Sequence, residues 1–258
     1  MTSWIRYVSP QRGPGFGLLD EEGCIHEHEG DMFDSPTPTG GRLSLPDVTV
    51  LSPCQPGKIV ALWNNFHALA AKIGKAVPSH PLFLIKPSTS VCGAGATIER
   101  PASYPGKIAY EGELGIVVGK TCRNVEPGAA ANHIFGYTCV NDVTAIELLN
   151  EDANFAQWTR AKSFDTFGVL GPVIVPGFDW RAANVVTTLD GVERQNYPLS
   201  DLVFRPEALV SLLSRDMTLE PGDVIACGTS LGVGSMKSGA SVTVTIKGIG
   251  SLTNVMEG

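Results

Sequence analysis

The sequence predicts an α+β protein in which β-structure dominates. Three observations point that way. Glycine and proline are abundant, 29 and 18 of 258 residues, which marks many tight turns between short elements. The apolar runs are brief, as in Lys58-Ile59-Val60-Ala61-Leu62 and Leu82-Phe83-Leu84-Ile85, the composition of short buried strands. The stretch Val242-Thr243-Val244-Thr245-Ile246-Lys247 alternates apolar and polar residues, the period of a half-exposed strand.

Taken in order, Gly15-Phe16-Gly17-Leu18-Leu19-Asp20 and Gly23-Cys24-Ile25 read as a small hairpin. The polar, Pro- and Gly-rich stretch from Ser35 to Gly41 reads as a linker, with a boundary near Pro46 to Pro53. That divides the chain into a small N-terminal β segment, residues 1–50, and a main domain, residues 51–258. Residues 58–62 form a buried strand, and residues 65–73 a short helix capped by Asn64 or Asn65 and ended by Gly74. Residues 108–118 read as one long strand. Residues 135–140 read as another, followed by a helix over about residues 145–158, with Thr144 and Glu147 at capping-box spacing. Pro206 opens a later helix that buries Leu209, Leu212 and Leu213.

The balance of the chain excludes several classes. Hydrophobic residues make up 43% and charged ones 17%, which excludes disorder as the main state. A net charge of −7 argues against nucleic acid, whose phosphates demand clustered Lys and Arg. No charge-free apolar run approaches the roughly 20 residues of a membrane span; the longest candidate, residues 167–178, is broken by Gly168, Gly171, Pro172, Pro176 and Gly177. Met1-Thr2-Ser3-Trp4-Ile5-Arg6 lacks the basic and apolar regions of a signal peptide. Cys24, Cys54, Cys92, Cys122, Cys139 and Cys227 show no CxxC spacing and read as reduced thiols, so a cytoplasmic protein is expected.

The sharpest chemical feature is Glu111-Gly112-Glu113. Residues two apart on a strand share a face, so both carboxylates project together. They repel unless a cation or a shared proton compensates, and Mg²⁺ or Mn²⁺ suits such oxygen donors. The plainer alternative is a solvated acidic face. Asp142, after an apolar strand, is a further ligand candidate or a turn aspartate. Lys162 is either a surface lysine or a charge that holds a substrate carboxylate or steadies an enolate. The loop from Gly228 to Gly234 offers backbone N–H groups and the Thr229 hydroxyl to an anion, or is a plain turn; it lacks the Lys-Ser/Thr ending of a nucleotide loop. His67 is a candidate general base or a packed or solvated helix residue. The run His26-Glu27-His28-Glu29 reads as an alternating polar strand rather than a metal site.

Together these stretches resemble the fumarylacetoacetate hydrolase family, over about residues 58–253. The family's motifs occur in order: Phe83-Leu84-Ile85-Lys86-Pro87, Tyr110-Glu111-Gly112-Glu113-Leu114, Gly136-Tyr137-Thr138, Asn141-Asp142-Val143-Thr144-Ala145, and Lys162-Ser163-Phe164-Asp165-Thr166-Phe167. Arg194-Gln195, Leu219-Glu220-Pro221-Gly222-Asp223, Gly228-Thr229 and Gly250-Ser251-Leu252-Thr253 follow. The resemblance implies a mixed β-roll core with short flanking helices, a homodimer, and one Mg²⁺ or Mn²⁺ held by Glu111, Glu113 and Asp142. It implies a small 2-oxo acid substrate, typically an acylpyruvate of aromatic catabolism. Lys162 and Thr229 match positions that contact the substrate, and Lys86 and Gln195 are taken with them as substrate-binding.

The resulting expectation is a metal-dependent hydrolase that cleaves a C–C bond of a fumarylpyruvate- or maleylpyruvate-like acylpyruvate through a metal-stabilised enolate. His67 would activate water, and Lys162 would add positive charge. Two departures favour other fates of the enolate. With His67 aligned to the family's lid histidine, Ala70 replaces the lid glutamate, and Ile146 stands where an arginine often follows the metal aspartate. Isomerisation of a 2-hydroxyhepta-2,4-diene-1,7-dioate-like compound and decarboxylation of a 2-oxo diacid need no activated water. A non-catalytic binder of metal and 2-oxo acid is the alternative of another class.

Overall fold

The computed structural model describes residues 2–258, so Met1 of the N-terminal reading lies outside the described residues. The architecture is the β-rich α+β arrangement that the turn-dense composition predicts. The largest sheet runs through Asp34–Ser44, Cys24–Asp31, Gly13–Leu19, Ser3–Ser9, Gly168–Val175, Ile134–Asp142, Gly112–Val118, Val224–Ala226, Lys58–Trp63 and Leu82–Pro87. A second sheet orders Val192–Pro198, Asn184–Leu189, Ser241–Ile246, Gly250–Met256 and Thr97–Ile98. A third, small sheet joins Thr144–Ala145, Ile108–Tyr110 and Gly234–Met236. Most pairs are antiparallel, but Val224–Ala226 runs parallel to Lys58–Trp63, so the large sheet is mixed.

The central strands are buried on both faces, which is why they read as near-continuous apolar runs. Along Lys58–Trp63, Val60 and Leu62 join one apolar cluster while Ile59 and Ala61 join another. Val224–Ala226 divides in the same way, with Ile225 on one side and Val224 and Ala226 on the other. The N-terminal strands continue this sheet through the pairing of Trp4 with Ile174.

Four local expectations are corrected. Residues 35–41 are not a linker: they lie within the strand Asp34–Ser44. That strand is the sheet's edge, where Pro36 and Pro38 need not donate to a neighbour. Residues 108–118 do not form one strand; the chain leaves the small sheet after Tyr110 and enters the large one at Gly112, with Glu111 at the junction. The helix expected over residues 145–158 is a 3₁₀ turn, Ile146–Asn150, and then a short helix α1, Trp158–Lys162, preceded by the helix-free stretch between them. Its capping box does not form, because Thr144 donates to Glu111 while Glu147 accepts from Tyr104 and from the Lys107 N–H. The helix expected from residue 65 is His67–Lys72, and neither Asn64 nor Asn65 caps it: the Asn64 amide donates to the Ala76 carbonyl, the Asn65 amide is committed to Phe204 and Cys227, and Asp201 accepts the Ala68 N–H instead. The helix opened by Pro206, here α2, spans Pro206–Asp216; it buries Leu209 and Leu213, with Leu212 half-buried at the edge of the stripe.

Candidate active site

The site is assembled where the strands ending at Asp142 and starting at Gly112 meet. The Glu111 N–H donates to Asn141 Oδ1 at 3.0 Å, and the Glu111 carbonyl accepts from the Asp142 N–H at 2.9 Å. These two bonds set Glu111 beside Asp142. Glu113, two residues on and opposite Val140, is completely buried. Ligand oxygens of Glu111, Glu113 and Asp142 all lie within 4.8 Å of one another. The solvated acidic face is therefore not what forms.

Lys162, at the last residue of α1, enters this cluster. Its Nζ donates to Asp142 Oδ2 at 2.6 Å and to Thr144 Oγ1 at 2.7 Å, and stands 3.1 Å from Glu111 Oε2. Thr144 Oγ1 in turn donates to Glu111 Oε1 at 2.7 Å. Burial works against the Lys162 ammonium, but Asp142, Glu111 and Glu113 outweigh it and hold its pKa above the ordinary lysine value. Burial likewise opposes the Asp142 carboxylate, yet Lys162 and Lys86 prevail and hold it below the usual carboxylate range. Glu113 goes the other way. Burial, then the charges of Asp142 and Glu111, push its carboxyl well above the ordinary value, against Lys162 and the Gly228 N–H.

The residues fit a hard divalent cation. The donors are all carboxylate oxygens, the set that Mg²⁺ and Mn²⁺ take. Glu113 Oε2 accepts from the Gly228 N–H at 2.8 Å, whereas Oε1 is buried with no partner in the protein. A bound cation would satisfy that oxygen and relieve the repulsion among the three carboxylates.

The other expected site residues divide by burial. Lys86 is 1% exposed and donates to Asp142, to the Phe167 carbonyl at 2.9 Å and to the Val143 carbonyl at 3.3 Å. Its three N–H groups are thus used within the protein, and it holds Asp142 from the side opposite Lys162. Gln195 is also buried. Its Oε1 accepts from the Gly112 N–H at 3.0 Å, and its Nε2 donates to Thr229 Oγ1 at 2.8 Å. Thr229 Oγ1 donates to the Gly112 carbonyl at 3.0 Å, which Tyr197 also approaches with its hydroxyl. Gln195 and Thr229 thereby clamp the backbone between the two glutamates. His67 is not brought into the cluster: it is exposed, opens its short helix, and its ring makes no hydrogen bond or ion pair among the described residues. Sequence reasoning missed Asn141, Tyr197 and the true role of Thr144. Asn141 and Thr144 stood in the motif around Asp142, and that adjacency was the available signal.

A mixed β-rich fold around two buried carboxylates, a half-buried third and an adjoining lysine defines a protein with an acidic centre whose donors suit a divalent cation. The chain belongs to the fumarylacetoacetate hydrolase family: residues 58–257 match the family model described as fumarylacetoacetate (FAA) hydrolase C-terminal. Residues 3–53 match a second model, Rv2993c-like, N-terminal. Protein Rv2993c of Mycobacterium tuberculosis is 39% identical over 258 residues, covering 96% of each chain. Oxaloacetate tautomerase YisK of Bacillus subtilis is 35% identical over 225 residues, 82% of this chain and 74% of that protein. Among solved structures, 2-hydroxyhepta-2,4-diene-1,7-dioate isomerase from Mycobacterium marinum is 35% identical, with a TM-score of 0.89 over 100% of this chain and 98% of its own. Fumarylpyruvate hydrolase from Pseudomonas aeruginosa, in complex with Mn²⁺ and pyruvate, is 27% identical, with a TM-score of 0.73 over 78% and 90%.

Proposed function

We propose that this chain is a divalent-metal-dependent enzyme that acts on a 2-oxo acid through its enolate, and that its reaction is isomerisation or tautomerisation. The observation that carries the enolate chemistry is the buried cluster of Glu111, Glu113 and Asp142 with Lys162 hydrogen-bonded into it. Glu111, Glu113 and Asp142 would hold Mg²⁺ or Mn²⁺, which supplies Lewis acidity toward the keto and carboxylate oxygens of a 2-oxo acid. Lys162, kept protonated by its three carboxylate neighbours, brings fixed positive charge toward an oxygen that gains negative charge as the enolate forms. Gln195 and Thr229 keep the strand between Glu111 and Glu113 in place, so the carboxylates need no rearrangement when substrate arrives. In tautomerisation the enol O–H proton is lost and a proton is gained at carbon, with no carbon–carbon bond broken. That needs no activated water, in keeping with a His67 that has no carboxylate partner. The names of the tautomerase and isomerase relatives support the same reading.

Hydrolysis of a fumarylpyruvate- or maleylpyruvate-like substrate is the second reading, and one observation favours it. Asp201 Oδ2 accepts from the Ala68 N–H at 2.9 Å, so a carboxylate stands at the helix start that carries His67. Turnover with Mn²⁺ or Mg²⁺ on oxaloacetate, 2-hydroxyhepta-2,4-diene-1,7-dioate, fumarylpyruvate and maleylpyruvate separates the two. The proposal expects enol–keto conversion that needs Asp142 and survives His67→Ala. Pyruvate release from fumarylpyruvate or maleylpyruvate that requires both Asp142 and His67 establishes hydrolysis instead, and CO₂ release accompanied by pyruvate from oxaloacetate establishes decarboxylation.

A further inference from the structure

A second constellation of metal-ligating side chains lies in the N-terminal hairpin, and the carboxylate centre makes no use of it. Cys24 and His26 stand two apart on the strand Cys24–Asp31 and so share a face. Ile25 and Glu27 are buried on the other face, while Cys24 and His26 are half-buried. Asp20 closes the hairpin: its N–H donates to the Cys24 carbonyl at 3.0 Å, and its Oδ1 accepts from the N–H groups of Cys24 at 2.9 Å and Glu22 at 3.0 Å. Those bonds leave Oδ2 facing His26, whose Nε2 is 2.8 Å away. Ligand atoms of Asp20, Cys24 and His26 all fall within 4.8 Å of one another.

Glu27 and His28 of the polar run are committed elsewhere, and Glu29 is exposed. Glu27 takes the Tyr7 hydroxyl at 3.0 Å and the Arg12 guanidinium. His28 bonds the His26 carbonyl through Nδ1 at 2.9 Å and packs edge-on against Trp4 at 5.1 Å. Only His26 is left to face the thiol and the carboxylate.

We propose that Asp20, Cys24 and His26 form a binding site for a borderline-soft divalent cation of the Zn²⁺ type, with a fourth position open to water or an anion. The donor set decides the ion. A thiolate and an imidazole select Zn²⁺ over Mg²⁺ or Mn²⁺, whereas the three carboxylates of the other centre do the reverse. Around a tetrahedral zinc, sulfur and nitrogen donors stand about 3.5 Å apart, so the trio closes by side-chain rotation of about an ångström. On binding, the Cys24 thiol proton passes to solvent, His26 presents Nε2 as a lone pair with its proton on Nδ1, and Asp20 Oδ2 exchanges His26 for the cation. A hollow of about 320 Å³ bounded by Glu22, Gly23, Cys24, Arg42, Leu43 and Ser44 gives access on the Cys24 side.

The test uses the full chain, stripped with a chelator and titrated first with Co²⁺ and then with Zn²⁺ against a chromophoric competitor. The expected result is a thiolate-to-cobalt charge-transfer band that Zn²⁺ abolishes and that is absent in Cys24→Ser. It persists in Asp142→Ala, and His26→Ala weakens Zn²⁺ binding by at least about tenfold. A second readout is covalent: Zn²⁺, but not Mg²⁺, slows alkylation of Cys24 in the native protein, followed by peptide mass spectrometry. No charge-transfer band, a band that survives Cys24→Ser, or alkylation of Cys24 indifferent to Zn²⁺ overturns the site.

Discussion

Asp142 is gripped by Lys86 on one carboxylate oxygen and Lys162 on the other, and the two lysines have different tasks. Lys86 is sealed among Asp142 and two backbone carbonyls. Lys86→Met removes a partner from a buried carboxylate and a donor from the Val143 carbonyl, while the Phe167 carbonyl keeps the Val143 N–H at 3.0 Å, so a loss of about 3–5 kcal/mol is expected in urea unfolding. A loss below 1 kcal/mol would mean that Lys86 does not hold Asp142 in solution. Lys162 also contacts Glu111, and Lys162→Met is expected to lower kcat by about 10²–10³-fold as its charge at the reacting end is lost. The cysteines supply a third prediction. Burial pushes the Cys54 and Cys139 thiols up to about 12 and Cys122 up to about 11. The thiolate is the nucleophile, and a raised pKa makes it scarcer at any pH below that value. At pH 8, iodoacetamide is expected to modify half-buried Cys24 first and to leave these three at least about a hundredfold slower until the chain is denatured. Comparable labelling of Cys139 in the native protein would contradict its burial.

At the scale of the element, the sequence was most legible where one local pattern decides the outcome. Alternation identified Ser241–Ile246, and Pro206 marked the start of α2. It was least legible where distant residues decide. The break at Glu111 is made by Asn141 and Asp142, thirty positions on, so residues 108–118 look like one uninterrupted strand. The false helix after Ala145 arises in the same way: the capping-box side chains Thr144 and Glu147 are claimed by Glu111, Lys162, Tyr104 and Lys107. The carboxylates themselves were legible because their motifs fall in family order, while the exposed position of His67 depends on packing no motif records. Gly112, between the two glutamates, shows how tight this junction is. A Cβ there would collide with Thr187 Oγ1 and approach Gln195 Oε1 at 3.2 Å. Gly112→Ala is therefore expected to cost about 1–3 kcal/mol by overpacking and to release the Gln195 clamp, seen as a lower Tm together with weaker Mn²⁺ binding. An unchanged Tm would show that the second sheet shifts freely at this point.

Across the whole molecule, the carboxylate centre joins parts of the chain that are far apart in sequence. Glu113 belongs to the large sheet and is bonded to Gly228; Glu111 lies at the passage from the small sheet; Lys162 comes from α1; and Gln195 reaches in from the second sheet. Without a cation these elements converge on mutually repelling carboxylates, one of which keeps an oxygen buried and unpaired. A cation that binds the assembled centre and not the unfolded chain must stabilise all of these contacts at once. Mn²⁺ at a hundredfold excess over its Kd contributes about 2.7 kcal/mol, which for a chain of this size corresponds to a rise in Tm of roughly 5 °C or more. Calorimetry of chelator-treated protein with and without Mn²⁺ measures it. Asp142→Asn is expected to lose the Mn²⁺-dependent rise, and Cys24→Ser to retain it, because the hairpin trio lies outside this centre. An equal rise in wild type and Asp142→Asn would place the stabilising ion elsewhere and remove the centre from the proposed chemistry.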